Sequence, residues 1–310
     1  MKKVTQKDLE KLYIPPSDSH KGQNGRLLVI GGSHLFHSAS LWALEVASRI
    51  VDLVHYSSVE ENNRIVHELK KVFRNGIVVP RDEIESYIEE DDVVLIGPGM
   101  VRAEGDISKI DYTIKNLKEI NEIEHEGMVT YHLTKFLLKK YPKKQWVIDA
   151  GALQMVDPEL IPEKAILTPH HGEFKSLRQK ILNSKLQILN KSQIQNKENT
   201  DENQVFELAK ALKCVILLKG QKDIAAGSDG EVKVVEGGNA GMTKGGTGDV
   251  LAGLIAALAC KNDPFLATIS GSFINKKAGD ELFQKMGPFF NTSDLARQIP
   301  ITMKNMFLEK

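Results

Sequence analysis

Short runs of apolar residues that end in glycine recur along this chain, and they constrain its fold more than any other feature. Such runs cover residues 26–32, 92–99, 145–151 and 214–220. A strand that is apolar on both faces must be covered on both faces, which occurs mainly in parallel sheets flanked by helices. Segments with helical spacing lie between the runs, so we expect an α/β protein with a mostly parallel central sheet between two helical layers.

The glycines at the ends of these runs predict where a ligand would bind. Gly31, Gly99, Gly151 and Gly220 each close an apolar run. In a parallel sheet the carboxyl ends of the strands meet at one edge, and ligands bind there. We therefore expect these segments to surround a single site. The chain shows no internal repeat and no linker, which predicts one domain over residues 1–310.

Bulk composition argues against several other classes of protein. The 41 Lys and Arg residues balance 41 Asp and Glu residues, so no net charge attracts nucleic acid or anionic membranes. No apolar stretch reaches the roughly 20 residues of a membrane helix, and the charged N-terminus does not resemble a signal peptide. We therefore expect a cytoplasmic protein. Cys214 and Cys260 are too few for a disulfide framework and are predicted to be buried free thiols.

A dense glycine loop precedes an apolar segment late in the chain. Seven of the 24 glycines lie between Gly237 and Gly253. The sequence GGTGD at 245–249 leads into VLAGLIAALAC at 250–260, in which the leucines recur at helical spacing. Backbone N–H groups at a helix start lack intrahelical partners and carry positive charge, and glycines let them approach a phosphate closely. The loop therefore predicts an anion-binding helix N-terminus.

Asp249 follows these glycines directly, and its residue type allows two interpretations. It can cap the helix, or it can act as a general base for a hydroxyl that attacks a bound phosphate. Two familiar phosphate motifs do not fit. A Walker A motif has lysine after the glycines, whereas Lys244 precedes them. The dinucleotide fingerprint follows a first strand, whereas this loop comes late.

The glycine loop is one of several motifs that occur in a fixed order along the chain. They are HKGQNGRLLVIGGS at 20–33, GPG at 97–99, LTPHHGEF at 167–174, LLKGQKD at 217–223 and NAGMTKGGTGDVLAG at 239–253. In this combination the chain resembles the ADP/ATP-dependent NAD(P)H-hydrate dehydratases of the ribokinase-like superfamily. The resemblance extends over about residues 5–300. It implies a ribokinase-like three-layer α/β/α fold and a stand-alone dehydratase domain without the family's companion epimerase.

The resemblance implies a hydro-lyase that repairs a damaged cofactor. Its substrates would be hydrated NADH or NADPH and, as phosphoryl donor, ADP or ATP with Mg²⁺. The enzyme would phosphorylate the 6-hydroxyl of the hydrate and then eliminate phosphate to restore the reduced cofactor. Hydroxide is a poor leaving group and phosphate is a far better one, so a kinase-type site can carry out a dehydration. By analogy with the family we also expect a homo-oligomer.

The resemblance assigns a role to each residue that matches a family motif. Asp249 matches the catalytic base that accepts the hydroxyl proton. The anion hole around the transferred phosphoryl group is assigned to Gly246, Thr247 and Gly248. The implied nucleotide-binding residues are Lys219, Gly220, Gln221, Lys222, Asp223 and Gly248. The implied substrate-binding residues are Ala39, Gly99, His170 and Asp249, and Glu173 is assigned to the phosphates and Mg²⁺.

Several of these residues also have a simpler structural interpretation. Ala39 fits helix packing as well as substrate contact, and His170 fits an ordinary polar residue after a strand. Glu173 fits the first turn of a helix, where the helix dipole favours an acid. The sequence leaves these alternatives open.

The chain departs from the family pattern mainly on the substrate side. The usual glycine-containing turn is missing at 47–54, and the second acid of an Asp-Ala-Asp motif is Gly151. The other departures are His171 for proline, Met100-Val101 for Leu-Gly, and Asp223 for a small hydroxyl residue. The unusual segments 47–54 and 149–151 motivate a second hypothesis, a kinase of a small alcohol such as a hydroxymethyl heterocycle. A third is a nucleotide-binding relative without catalysis.

Overall fold

The central sheet contains ten strands in a computed structural model of the chain, which describes residues 2–104, 114–184 and 200–309. The strands are β1 (Lys2–Lys3), β2 (Arg26–Ile30), β3 (Leu53–Ser57), β4 (Ile77–Val78), β5 (Val93–Ile96), β6 (Gln145–Ile148), β7 (Ile166–Leu167), β8 (Val215–Leu218), β9 (Asp223–Ala226) and β10 (Val232–Val235). Their order across the sheet is β1-β10-β9-β8-β7-β6-β5-β2-β3-β4.

Almost all neighbouring strands run parallel, which confirms the predicted sheet. Strand β9 is the exception among the described strands, since it pairs antiparallel with both β8 and β10. The central strands β5, β2 and β6 are apolar and almost fully buried, as expected for strands covered on both faces. Their carboxyl ends all point to one edge of the sheet.

Helices cover both faces of the sheet. They are α1 (His37–Ala47), α2 (Glu60–Leu69), α3 (Ile84–Glu90), α4 (Leu117–Asn121), α5 (Glu126–Lys140), α6 (Ala150–Met155), α7 (His171–Asn183), α8 (Asp201–Leu212), α9 (Thr247–Ala259), α10 (Pro264–Met286) and α11 (Thr292–Phe307). Helices α1, α9, α10 and α11 share one apolar core with the sheet, and α3 to α8 share the other. Neighbouring residues of β2 alternate between these cores, with Leu27 in the first and Leu28 in the second. The predicted α/β/α layering is confirmed.

Helix α9 is the central helix of its layer because it is apolar on every side. Every residue from 250 to 259 is buried. The helix packs across β2, β5 and β6 on one side and against α1 and α10 on the others. Gly253 allows the close approach of α1, since a Cβ at this position would lie 2.7 Å from Ala43 Cα. The burial of α9 fixes the position of its first turn, where the glycine loop ends.

Helical spacing in the sequence predicts helices over 60–73, roughly 105–140 and 174–212, and the structure corrects their boundaries. The helix predicted at 60–73 ends at Leu69. The helical region predicted at 105–140 contains α4 and α5 with a break between them, and its residues 105–113 lie outside the described residues. The region predicted at 174–212 contains α7 and α8, with 185–199 again outside. Cys214 is buried as predicted, whereas Cys260 is only partly buried. No described helix has the length and apolar content needed to cross a membrane.

We expect Gly253→Ala to destabilise the protein, because the added methyl group would overlap Ala43 Cα and Ala43 O, both 2.7 Å away. Overpacking of a rigid core costs about 1–3 kcal/mol of unfolding free energy. The higher helix propensity of alanine offsets roughly 1 kcal/mol of this cost, so we expect a net loss of up to about 2 kcal/mol. Urea unfolding measures the change. Gly245→Ala is the control, because no other atom lies within 4 Å of its added Cβ. Equal stability of the two variants would contradict this account of the α1–α9 contact.

Candidate active site

The loops after β6, β7 and β8 meet at the carboxyl edge of the sheet. The backbone N–H of Lys219, directly after β8, donates to the carbonyl of Pro169 at 2.8 Å. His170 pairs with Lys219 as an isolated parallel bridge. The two loops therefore continue the strand pairing beyond the sheet, and they bring two of the predicted motifs side by side.

A buried ion pair joins these loops to the end of β6. Lys219 Nζ lies 2.9 Å from Asp149 Oδ1, and the Thr168 hydroxyl donates to the same oxygen at 2.7 Å. The side chains of Lys219 and Asp149 are only 18% and 2% exposed. Burial works against the charge of Lys219, but Asp149, Glu173 and Asp249 together raise its pKa. The lysine is therefore a fixed positive charge at this edge.

The start of α9 lies beside this lysine. A Cβ placed on Gly248 would lie 3.6 Å from Lys219 Nζ. Gly246 is the N-cap with a left-handed φ of 97°, and a Cβ there would lie 2.3 Å from the Trp42 ring. Glycine is therefore required at position 246 for both conformation and space. Among the described residues, the N–H groups of Gly246 and Gly248 have no hydrogen-bond partner.

Asp249 is the third residue of α9 and does not cap it. The cap is Gly246 and no side chain takes part in it, so the capping interpretation is wrong. Burial raises the pKa of Asp249 to about 7, with Asp149 and Glu173 adding to the rise and Lys219 opposing it. A carboxyl group with this pKa can accept and release a proton near neutral pH, which suits a general base.

His170 and Glu173 form a capping box at the start of α7. His170 Nδ1 accepts hydrogen bonds from the backbone N–H groups of Gly172 at 3.0 Å and Glu173 at 3.2 Å. Glu173 accepts from the backbone N–H of His170 at 2.9 Å and from Gln154 Nε2 at 3.0 Å. The His170 ring is 58% exposed and lines the adjoining cleft, whereas Glu173 is buried. Glu173 thus has the predicted structural role of an acid in the first turn of a helix. Its role toward Mg²⁺ stays a prediction.

A cleft of about 860 Å³ opens between this cluster and the glycine loop. Its walls come from the loop after β8, from the residues around the glycine loop and from α10. The predicted residues that line it are His170, Lys219, Gly220, Gln221, Asp223, Thr247 and Gly248. A cleft of this size is in the range of small-molecule sites. The structure thus brings most of the predicted nucleotide-binding residues to one cavity.

Asp223 and Lys276 form an ion pair in one wall of the cleft. The Asp223 carboxylate accepts from the backbone N–H of Gly220 at 2.9 Å and from the Ser272 hydroxyl at 2.7 Å. Lys276 Nζ lies 3.3 Å from Asp223 and donates to the carbonyls of Gly220, Gln221 and Gly237. Asp223 therefore shapes the loop, and its direct contact with a nucleotide stays a prediction. Sequence reasoning missed Lys276, which belongs to no motif.

The predicted substrate-binding residues Ala39, in the first turn of α1, and Gly99, after β5, are neighbours. A Cβ on Gly99 would lie 2.9 Å from Ala39 Cβ and 3.2 Å from Gly32 Cα. Gly97 lies against the other half of the site, because a Cβ there would lie 1.8 Å from the Asp149 carbonyl oxygen. Both halves of the predicted site therefore share one edge of the sheet.

Comparison with known proteins shows the family and the fold of the chain. The profile of the NAD(P)H-hydrate dehydratase family matches residues 27–301, which is most of the chain. The chain belongs to the NAD(P)H-hydrate dehydratase family. It is also similar in fold to a ribokinase-like superfamily protein from Enterococcus faecalis, with a TM-score of 0.75 and 25% identity over 98% of this chain and 96% of that one. The ribokinase-like fold expected from the motifs is confirmed.

Two curated relatives of this dehydratase-family chain differ in length. The bifunctional NAD(P)H-hydrate repair enzyme Nnr of Methanocaldococcus jannaschii is 34% identical over 306 residues, which cover 96% of this chain and 52% of the relative. The chain thus spans about half the length of that protein. The ADP-dependent (S)-NAD(P)H-hydrate dehydratase of Nitrosopumilus maritimus is 32% identical over 96% of this chain and 95% of the relative.

We expect Asp249→Asn to stabilise the folded protein at alkaline pH. The folded-state pKa of about 7 lies above the ordinary value of 3.8, so the folded state binds more protons between these two values. Stability is therefore lost as pH rises through this window, and asparagine escapes the loss. The gain at about pH 8 should be about 1–3 kcal/mol after allowance for solvent screening. It should vanish near pH 4.

Thermal or urea unfolding at several pH values measures this gain. Asp229→Asn, in an exposed turn, shows what the same exchange does outside the site. A gain that does not vary with pH would contradict the electrostatic cause.

Proposed function

We propose that this chain converts hydrated NADH or NADPH back to the reduced dinucleotide by phosphorylating the hydrate and eliminating phosphate, with ADP or ATP as donor. One observation carries the proposal. A carboxyl group with a pKa of about 7, Asp249, lies in the first turn of a helix with free N–H groups and beside a buried lysine. The curated names of the two relatives, a repair enzyme and an ADP-dependent dehydratase, support it.

The nucleotide would occupy the cleft of about 860 Å³ with its terminal phosphate at the start of α9. The N–H groups of Gly246 and Gly248 and the helix dipole would stabilise the charge of the transferred phosphoryl group. Lys219 adds a positive charge beside Gly248 that Asp149 and Thr168 keep in place. Preorganised donors of this kind are the main source of catalysis in phosphoryl transfer.

Asp249 would accept the proton of the substrate hydroxyl as the hydroxyl oxygen attacks the terminal phosphorus. The O–H bond breaks and an O–P bond forms, while the bond to the donor's bridging oxygen breaks and releases the shortened nucleotide. In the second step the carbon–oxygen bond breaks and phosphate leaves with the electron pair. The lone pair of the ring nitrogen assists this departure, and loss of a ring proton restores the double bond.

Mg²⁺ is proposed to accompany the phosphates of the nucleotide. In the described part of the chain no group of three or more His, Cys, Asp or Glu side chains could hold a metal alone. We propose that phosphate oxygens and water hold most of this cation, which would neutralise part of the phosphate charge. Glu173 is the protein carboxylate that we propose to contact the cation or its water. It already accepts hydrogen bonds from Gln154 Nε2 and from the backbone N–H of His170.

We also propose that residues 1–310 form one domain, because both apolar cores pack on the same sheet. A homo-oligomer and a cytoplasmic location stay predictions from the sequence.

The test is incubation of the pure protein with hydrated NADH or NADPH, Mg²⁺, and ADP or ATP separately. Absorbance of the reduced nicotinamide should return with at least one nucleotide. Asp249→Asn should lower turnover about 100-fold or more, the usual share of a general base. Asp229→Asn, in an exposed turn, should leave turnover unchanged.

Other outcomes would point to the alternatives. A stable phosphorylated product without recovered absorbance would favour a kinase of a small alcohol. Nucleotide binding without turnover of any substrate would favour a non-catalytic relative. Full turnover by Asp249→Asn would reject the role proposed for this carboxylate.

A further inference from the structure

A second cavity lies at the same carboxyl edge of the sheet, beyond the substrate side of the site. It has a volume of about 390 Å³. Its walls come from the chain directly after β3 and β4 and from residues 121–129, where α4 ends and α5 begins. No motif of the sequence points to this cavity, and the mechanism above does not use it.

Arg81 is a buried charge in the wall of this cavity. It lies shortly after β4, beyond Val79 and Pro80, and is 9% exposed. Its Nε atom is buried without a hydrogen-bond partner, and the guanidinium forms no ion pair within residues 2–104, 114–184 and 200–309. Burial lowers the pKa of Arg81 to about 10, so it stays charged at neutral pH. A buried charge without an ion-pair partner is costly, and a bound anion would reduce this cost.

The N-terminus of helix α2 opens onto the same cavity. Val59 and Glu60 line the wall, and the helix has no side-chain cap. The first backbone hydrogen bond of this helix runs from the N–H of Asn63 to the carbonyl of Val59 at 3.0 Å. The N–H groups of residues 60–62 therefore have no intrahelical acceptor. Free N–H groups and the positive end of a ten-residue helix favour an anion.

Within the described residues the acidic side chains of the wall form no ion pair with Arg81, although the charge of Glu126 partly offsets the effect of burial on the Arg81 pKa. Glu60 is paired with Arg64 at 2.8 Å. Glu126 accepts from the backbone N–H of His34 at 2.8 Å and also contacts the His34 ring. Asp82, the third acid in the wall, is exposed. Two of the three carboxylates are thus engaged elsewhere, and the third faces water.

The cavity lies near the predicted substrate-binding residues, and Gly32 packs between the two places. A Cβ on Gly32 would lie 2.2 Å from Asn62 Nδ2 and 2.5 Å from Ser58 Oγ. On its other side, Gly32 Cα lies 3.2 Å from a Cβ placed on Gly99. Gly99, Gly32 and Ser58 follow β5, β2 and β3, which are neighbours in the sheet, and β4 is the next strand. Three strand spacings correspond to about 15 Å, so a ligand in both places must be long.

We propose that Arg81 and the N-terminus of α2 bind a phosphate group of the dinucleotide substrate at a distance from the reacting ring. The inference rests on the proposed function, because it takes the substrate to be hydrated NADH or NADPH. Either the phosphates that both dinucleotides share or the additional ribose phosphate of the NADPH form supplies this chemistry. In both cases the site holds the end of the substrate that does not react.

The test compares Michaelis constants of Arg81→Gln and Arg81→Lys for both hydrates at saturating ADP. Loss of charge-assisted hydrogen bonds should raise KM for at least one hydrate about 10- to 100-fold in Arg81→Gln. The value of kcat and the KM for ADP should change less than about twofold. Arg81→Lys keeps the charge and should recover part of the affinity. Arg64→Gln is the matched control, since its arginine is 71% exposed on α2 and should leave both KM values unchanged.

The pattern of KM values identifies the phosphate. An equal rise for both hydrates supports the shared phosphates, and a rise for the NADPH form alone supports the ribose phosphate. Unchanged KM values in Arg81→Gln, or the same rise in Arg64→Gln, would overturn the inference. So would a loss of thermal stability with a lower kcat and unchanged KM, because that result would mark a purely structural arginine.

Direct binding separates this inference from the proposed function. Calorimetric titration with NADPH and NADH needs no turnover, so it can be done even if the hydrates prove not to be substrates. Weaker binding to Arg81→Gln than to wild type would then support the phosphate site while the proposed reaction fails. Equal binding by the two proteins, or no binding of either dinucleotide to wild type, would reject the site itself.

Discussion

The buried ion pair between Lys219 and Asp149 is the interaction on which the candidate site depends. It connects the ends of β6 and β8 and places the ammonium group beside the start of α9. Removal of one partner from such a pair costs about 3–5 kcal/mol, because the other charge stays buried alone. The ion pair therefore fixes the position of the loops after β6 and β8 and keeps a positive charge beside α9. Lys219 also opposes the rise in the pKa of Asp249, whereas Asp149 adds to it.

A second buried pair gives the opposite wall of the cleft the same kind of support. Asp223 and Lys276 join the loop after β8 to α10, and the lysine also donates to the carbonyl of Gly237 before the glycine loop. Asp280 continues this bracing, since it accepts from the N–H of Gly238 and from Asn239 Nδ2. The glycine loop is thus held at several points, although glycines alone would leave it free to move. A fixed loop keeps its N–H groups directed at a phosphate without further ordering.

The sequence predicted the fold and the glycine loop of the site because local patterns record both features. Apolar runs ending in glycine mark buried parallel strands by composition and spacing, and the glycine loop marks a helix N-terminus. The pairing of Asp149 with Lys219 spans 70 residues and that of Asp223 with Lys276 spans 53, so no local pattern records them. Arg81 escaped notice because an isolated arginine after a short edge strand has an ordinary sequence context. Only the cavity and the uncapped helix α2 distinguish it.

Asp249 and Arg81 are ionisable side chains in positions where burial makes their charged forms unfavourable. Burial raises the pKa of one and lowers the pKa of the other, so in both cases the protein disfavours the charged form. Asp249 lies in the first turn of α9 near Lys219, and Arg81 lies in the wall of the second cavity, which the start of α2 also lines. A phosphate bound beside α2 would accept hydrogen bonds from Arg81. The proton of the substrate hydroxyl would neutralise the carboxylate of Asp249. Because ligands that bind only the folded state stabilise it, substrate binding would offset what these two charges cost in folding. The apolar cores on both faces of the sheet supply the stability that makes such sites possible without ligand.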